Sequence, residues 1–551
     1  MRPSGEVAAP PGHNQSTDHR DDDRTGTGRG GPEAGSAEDD DPTGHGAGGG
    51  SSGWTLSRSV GHLLALVGFV IGARAIRDNS FLTHLATGRI IVETGRIPTA
   101  DPYSYLAHGL PWTVQSWLVS LVYAAGETLA GPWTARLFHG LLTGYTTWAV
   151  WRLVAPARHL VVRLLLTAIP LAIGGYLWSP RPLLIGLAAF ALLLEVIQGR
   201  RSKWWLLPLF WAWVNAHGSF ILGGALLTFV ALGALADRAS GGGVKADRPS
   251  GGGVKAVDGT PGSAGPGRWT TIRSWPELEL VALGALGCLL GLIPLGWRIV
   301  WFPFHMMTRS DALASVAEWQ APTYDQPAQW AFLALIPVAI IAARRGAVWR
   351  ALLPSVTFLI AGLLAMRNIG LASLVVVVLL APHLRLDPPR SPDRPHRLAR
   401  PLSAAALAGL AVTVAMIVTR PALELDSYPE AEIAWLEERD LVAQPDVRLL
   451  ERDYVGNYLT WRHGTSARVF MDDRFDFYPI EVIDDHATLL RGGAITPVMD
   501  RYDFDVLVWA VDTPVARWVE ADDDWDVVVR SDEWMVACRV SSPVHDRCLR
   551  P

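Results

Sequence analysis

The chain is expected to be a polytopic α-helical membrane protein with a small α/β domain at its C-terminal end. Three observations predict this. Half of the residues are hydrophobic and only 18% are charged, with the apolar residues gathered into long runs, the composition of an integral membrane protein with soluble appendages. Arginine-rich and arginine-poor loops alternate between those runs, as they must if the chain crosses a bilayer repeatedly. Beyond residue 420 the long apolar runs stop and short, strand-like alternations replace them.

Residues 1–53 are polar and rich in Gly, Asp and Pro. They read as a disordered cytoplasmic tail without a signal peptide. Residues 54–420 read as the transmembrane domain, opening with an apolar segment over 54–76 that is long enough to cross a bilayer. A polar loop over 78–133 follows, containing one apolar stretch, 117–130, that could span or lie along the interface. Further spans are expected over 134–152, 160–177, 182–198, 204–218, 220–236, 277–296, 330–343, 350–366, 368–383 and 402–419.

The cations set the sidedness. Clusters occur at Arg152/Arg158/Arg163, Arg200/Arg201/Lys203, residues 238–273, Arg344/Arg345/Arg350 and Arg385 to Arg400, while the loops between them carry few. Cation-rich loops stay in the cytoplasm. If 117–130 lies parallel to the membrane, eleven spans put every rich loop inside, and loops 78–133 and 297–329 outside together with residues 421–551. The composition holds 24 Trp, several at segment ends (Trp54, Trp133, Trp178, Trp204, Trp205, Trp297, Trp301, Trp330, Trp349), where indoles prefer to sit. A tandem repeat over 237–256 opens a Gly-rich cytoplasmic linker, 237–275, of no functional weight.

In the tail, residues 430–438 read as a helix, and 447–450, 467–471, 506–509, 527–530 and 535–540 as strands. Cys538 and Cys548, ten apart, can pair if this region lies outside the cytoplasm, or remain free thiols; Cys288 reads as packing. No metal-binding Cys/His spacing occurs, and no nucleic-acid partner is expected.

Candidate chemistry gathers at the presumed outer ends of the spans. Asp78 suits a general base just outside the membrane, where a low-dielectric wall raises basicity; its spacing to Phe81, Leu82 and Leu85 equally suits a helix N-cap. His84 is a candidate ligand contact or a plain hydrogen-bonder. Asp101 in Asp-Pro-Tyr-Ser suits a turn. Asn215 and His217 need partners inside an apolar region, from a neighbouring helix or from a substrate. Outer arginines Arg181 and Arg367 run against the positive-inside trend and suit a phosphate or a neighbouring carboxylate. Glu318 lies in an aromatic outer loop. The run Gly456-Asn-Tyr458-Leu, then Val469 through Asp472-Asp473-Arg474 to Tyr478, reads as a strand ending in a charged loop, self-paired or open to an acceptor.

Together these residues resemble a bacterial branch of the GT-C superfamily, the multi-span glycosyltransferases that use polyprenyl-phosphate sugars and include protein O-mannosyltransferase-like proteins. The likeness rests on an ordered set: Asp78, His84 to Gly88, Gly95 to Ser104, Gly109, Trp112, Trp117-Leu118, Arg181-Pro182, Trp213/Asn215/His217-Gly218, Pro294/Gly296, Glu318-Trp319, Arg367, and the elements near 456–478. It implies a GT-C-like fold, a glycosyltransferase of the plasma membrane, a lipid-linked sugar as co-substrate, an envelope acceptor and Asp78 as catalytic base. His84, Asp101, Arg181, Asn215, His217, Glu318 and Arg367 would bind substrate; no cofactor is fixed by the resemblance, and a divalent metal stays open. Ser80 stands where the family carries a second acid, and Gln115-Ser116 where a His-Glu-like pair often precedes Trp-Leu. These departures make a non-catalytic binder of lipid-linked glycans the alternative; a transporter fits less well, since no repeated halves are visible.

Overall fold

A computed structural model describes residues 54–241, 275–308, 317–387 and 395–550. The expected tail over 1–53 and most of the Gly-rich linker lie outside the described residues. The described residues belong to one compact unit.

Helix α1 (Leu56–Gly72) opens the bundle, followed by α2 (Asn79–Thr94), α3 (Trp117–Ala130) and α4 (Trp133–Leu153). The chain continues through α5 (Leu160–Leu177), α6 (Leu183–Ile197), α7 (Leu206–Val214), α8 (Phe220–Ala239), α9 (Pro276–Leu290) and α10 (Trp297–Thr308). Then come α11 (Pro327–Leu333), α12 (Leu335–Arg344), α13 (Trp349–Leu364), α14 (Ile369–Leu380) and α15 (Ala399–Thr419). Among the described residues five helices are long and apolar enough to cross a bilayer: residues 160–177, 220–239, 327–344, 366–384 and 399–419. The protein is therefore an integral membrane protein.

Most other expected spans are shorter or interrupted helices. The stretch 204–218 yields only the 9-residue α7, because the chain turns at Asn215 and restarts at Phe220. Residues 277–296 end as helix at Leu290. Helix α4 has 21 residues, but Arg136, His139, Arg152 and its threonines lower its hydropathy.

Close helix approach brings α1 onto α4. A Cβ added at Gly68 would stand 2.3 Å from Thr147 Oγ1, and one at Gly72 would stand 2.2 Å from Thr143 Oγ1. Gly140 and Gly144 answer from α4, facing Phe69 and Ala65. Small residues four apart on both partners are the usual device for bringing membrane helices together.

The C-terminal region contains α16 (Glu430–Glu438), as expected, and a four-stranded sheet of order β1-β2-β4-β3. Its strands are β1 (Leu449–Leu450), β2 (Val506–Ala510), β3 (Trp525–Arg530) and β4 (Trp534–Arg539); β1 runs parallel to β2, and β4 is antiparallel to both its neighbours. Cys538 on β4 is disulfide-bonded to Cys548. Two expectations fail. Residues 456–459 lie within a helix, α17 (Asp453–His463), not a strand. The run 467–471 contributes a single parallel bridge, Val469 to Ser104.

This region shares its core with the loop after α1. Phe81 and Leu85 of α2 belong to the same buried cluster as Val455 and Tyr458 of α17 and Val536 of β4. Ile76 N–H donates to Ala422 O at 2.9 Å, and Tyr105 N–H donates to Val469 O at 3.1 Å.

Candidate active site

Asp78 is delivered by the short extended link between α1 and α2. It is the N-cap of α2: Oδ1 accepts from Ser80 N at 3.2 Å and from Ser80 Oγ at 2.9 Å. The capping role is thus real, but it uses only one oxygen. Oδ2 accepts from Ser179 Oγ at 2.6 Å and lies 3.5 Å from Arg181 Nε. Both partners sit on the turn between α5 and α6, which Pro180 and Pro182 keep out of helix.

Arg181 also pairs with Glu318. One guanidinium therefore bridges an acid from the first polar loop and an acid from the loop before α11. Burial works against its charge, but Asp78 and Glu318 outweigh that and hold Arg181 more firmly protonated than usual. Arg367 stacks on Trp319, 3.9 Å from the ring centre. Arg181, Glu318 and Arg367 line a small cavity of about 30 Å³ with Leu177 and Trp178.

A larger polar cavity, about 220 Å³, opens beside Asp78 between α2, the 112–116 segment and the loop after α17. Ser80, Thr83, His84, Gln115, Ser116 and Asp473 line it. His84 Nδ1 lies 3.1 Å from Ser120 Oγ. Burial pushes its pKa down to about 4, against the pull of Asp78, so the ring is neutral at pH 7. His217 pairs with Ser219 Oγ at 2.8 Å and lies within electrostatic reach of Arg367, Arg181 and His84.

Asp78, His84, Arg181, His217, Glu318 and Arg367 thus come together; Asp101 and Asn215 do not join them as free groups. Asn215 is buried and spent on the framework: Oδ1 accepts from Trp117 Nε1 at 2.7 Å, while Nδ2 donates to Trp211 O and Gly291 O at 2.9 and 3.1 Å. Asp101, also buried, accepts from Ser104 N at 2.9 Å and is paired with Arg474 Nη1 at 2.7 Å. It is a turn residue and an anchor between the first polar loop and Arg474.

Sequence reasoning missed Asp473 as part of this site. It enters from the C-terminal region, and Asn79 Nδ2 donates to its Oδ2 at 3.4 Å. Burial, then Asp472, Asp78 and Asp453, push its pKa up to about 8, with a Ser80 hydrogen bond opposing. A carboxyl group therefore stands next to Ser80. The sequence signal was the acid-rich run Asp472-Asp473-Arg474, which by itself reads as a charged loop, self-paired or open to an acceptor.

Among the described residues no group of three His, Cys, Asp or Glu side chains is placed to hold a metal ion. Asp78 and Glu318 both face Arg181, so this donor set as folded fits a guanidinium and not a divalent cation.

No family model and no curated protein matches the chain. Solved structures similar to it include two oligosaccharyltransferases. One is the oligosaccharyltransferase AglB from the archaeon Archaeoglobus fulgidus, in complex with an inhibitory peptide and a dolichol-phosphate: TM-score 0.44, 9% identity, covering 83% of this chain and 69% of that one. The other is an oligosaccharyltransferase of the same organism in the apo form: TM-score 0.44, 9% identity, covering 82% and 70%.

Proposed function

We propose that this chain is a plasma-membrane glycosyltransferase of GT-C type. It moves a sugar from a polyprenyl-phosphate donor to a hydroxyl of an envelope acceptor. In this reading the chain crosses the membrane eleven times, and loop 78–133 and the C-terminal region lie outside. Support comes from the ordered motif set and above all from one arrangement, the Asp78–Arg181–Glu318 bridge beside a polar cavity.

The chemistry follows from the charges. Arg181 and Arg367 suit the donor phosphate, which a guanidinium holds through two parallel hydrogen bonds. A phosphate that draws Arg181 away relieves Asp78 Oδ2 of one donor. Asp78 then accepts the proton of the acceptor hydroxyl as its oxygen attacks the anomeric carbon. The bond from that carbon to the phosphate oxygen breaks, the lipid phosphate leaves with the electron pair, and the anomeric centre is inverted. Neutral His84 and the Asp473 carboxyl, half-buried at the cavity wall, suit hydrogen bonding to sugar hydroxyls.

One observation favours the non-catalytic alternative: Asp78 already accepts from two serines and faces Arg181. The test is mass spectrometry of envelope glycans from a strain lacking the chain, complemented with wild type or Asp78→Asn. A sugar lost on deletion and restored by wild type but not by the variant supports catalysis. Full restoration by Asp78→Asn removes Asp78 as base. Unchanged glycans in the deletion strain, with donor lipid still bound by the purified protein, support the binder.

A further inference from the structure

The cavity beside Asp78 has the size and the lining for one small polar ring. Its volume, about 220 Å³, lies below the roughly 300–1,000 Å³ of pockets that take drug-sized ligands. Thr83, His84, Gln115 and Asp473 line it with hydrogen-bonding groups, and Trp112 and Phe302 add apolar edges. Hydroxyls entering such a space need partners, and ring C–H groups need apolar contact.

The polar wall is built in advance. Asn457 of α17 joins its two sides: Oδ1 accepts from Thr83 Oγ1 at 2.8 Å and from the backbone N–H of Asp473 at 3.2 Å. The same network assigns the proton on His84. Ser120 Oγ donates its hydrogen to Ser116 O at 3.3 Å, so it accepts from Nδ1–H of His84 at 3.1 Å. Nε2 of the neutral ring is then an acceptor.

Asp78 connects this cavity to the phosphate site of the proposed function. Its Oδ1 meets Ser80 on the cavity wall, and its Oδ2 meets Arg181. A ring bonded directly to a phosphate at Arg181 is one carboxylate's width from the cavity. The charge that the ring carries is restricted as well. Burial, then Asp472, Asp78 and Asp453, keep the Asp473 carboxyl protonated at pH 7. Surroundings that disfavour a charge on Asp473 disfavour a sugar carboxylate in the same place.

We infer that this cavity is the subsite for a single sugar ring without a carboxylate, whose hydroxyls bond to His84 Nε2 and to Asp473. The inference rests on the reading of the chain as one that handles lipid-phosphate sugars, and it holds whether or not the bound sugar is transferred.

Equilibrium binding to the full chain in nanodiscs tests it. The probes are farnesyl phosphate, bare or carrying glucose, mannose or galactose, then the uronic acid of the best-bound hexose and a disaccharide that begins with it. At least one hexose is expected to bind about tenfold more tightly than the bare phosphate, as two net hydrogen bonds would give. Its uronic acid gains nothing, and the second ring of the disaccharide adds nothing. His84→Leu and Asp473→Leu each cut the gain to about threefold, read against bare farnesyl phosphate on the same variant. No gain from any hexose, with the bare phosphate still bound, overturns the inference alone. An equal gain from the uronic acid, or a further gain from the second ring, also overturns it. Failure of every phosphate to bind overturns it together with the reading on which it rests.

Discussion

At the scale of single residues, Asp78 does two things with two oxygens: one ties off α2 and the other meets Ser179 and Arg181. Asp78→Asn keeps a side chain of the same shape and is expected to cost about 10²–10⁴ in transfer rate if the residue is the base. Arg181→Lys retains charge but not the two-pronged donor, so it is expected to raise KM for the lipid donor more than it lowers kcat. Asp473 gives a pH test. Its folded-state pKa, about 8, is above the ordinary aspartate value of 3.8, so between those values the folded protein binds more protons than the unfolded chain. Stability contributed by this group is present below pH 4 and is lost as pH rises toward 8. Asp473→Asn is expected to melt at a higher temperature than wild type at pH 8, with the gap closing by pH 4; thermal unfolding at both values checks it. Asp101 and Glu451, whose carboxyls burial also pushes up, are common to both proteins and cancel in the difference.

At the scale of elements, the α1–α4 contact depends on the absence of side chains. Gly68→Ala would put a methyl group 2.3 Å from Thr147 Oγ1 and 2.8 Å from the backbone oxygen of Thr143. Overpacking of this kind costs about 1–3 kcal/mol, read as a lowered melting temperature of the purified protein. Much at this scale was legible in the sequence. Apolar length marked α5 to the residue and α8 and α15 to within three residues, and alternation marked β2, β3 and β4. The break at Asn215 was harder, because the residues before it are as apolar as any span. Its signal was the polar cluster Asn215-Ala-His217-Gly218-Ser219, whose side chains turn out to bond neighbouring elements and one another. Val469 was unreadable as an isolated bridge, since its partner is Ser104, 365 positions earlier. Pairing across such a separation leaves no periodicity at either end. The candidate site divides the same way: Asp78 and Arg181 stand out by position, whereas Asp473 needed the fold to bring it to Ser80.

At the scale of the whole molecule, one arginine fastens the C-terminal region to the first polar loop. Arg474 forks onto Asp472 at 2.6–2.9 Å, reaches Asp101 at 2.7 Å, and lies among the rings of Tyr103, Trp112 and Phe477. Arg474→Met would leave two buried carboxylates facing each other without a cation. Breaking such a cluster costs about 3–5 kcal/mol, and limited proteolysis is expected to release fragments of the C-terminal region from the variant but not from wild type. Double substitution of Asp101 and Asp472 by Asn together with Arg474→Met should recover part of that loss, because the unmatched charge disappears with its partners.

The joint core of α2, α17 and β4 has a practical corollary for anyone wishing to study residues 421–550 in isolation. Severed from the rest, that fragment would present Val455, Tyr458 and their neighbours to water as a sticky face, and self-association in the test tube is the foreseeable fate of such a truncation. A soluble surrogate would have to carry residues 78–116 grafted alongside.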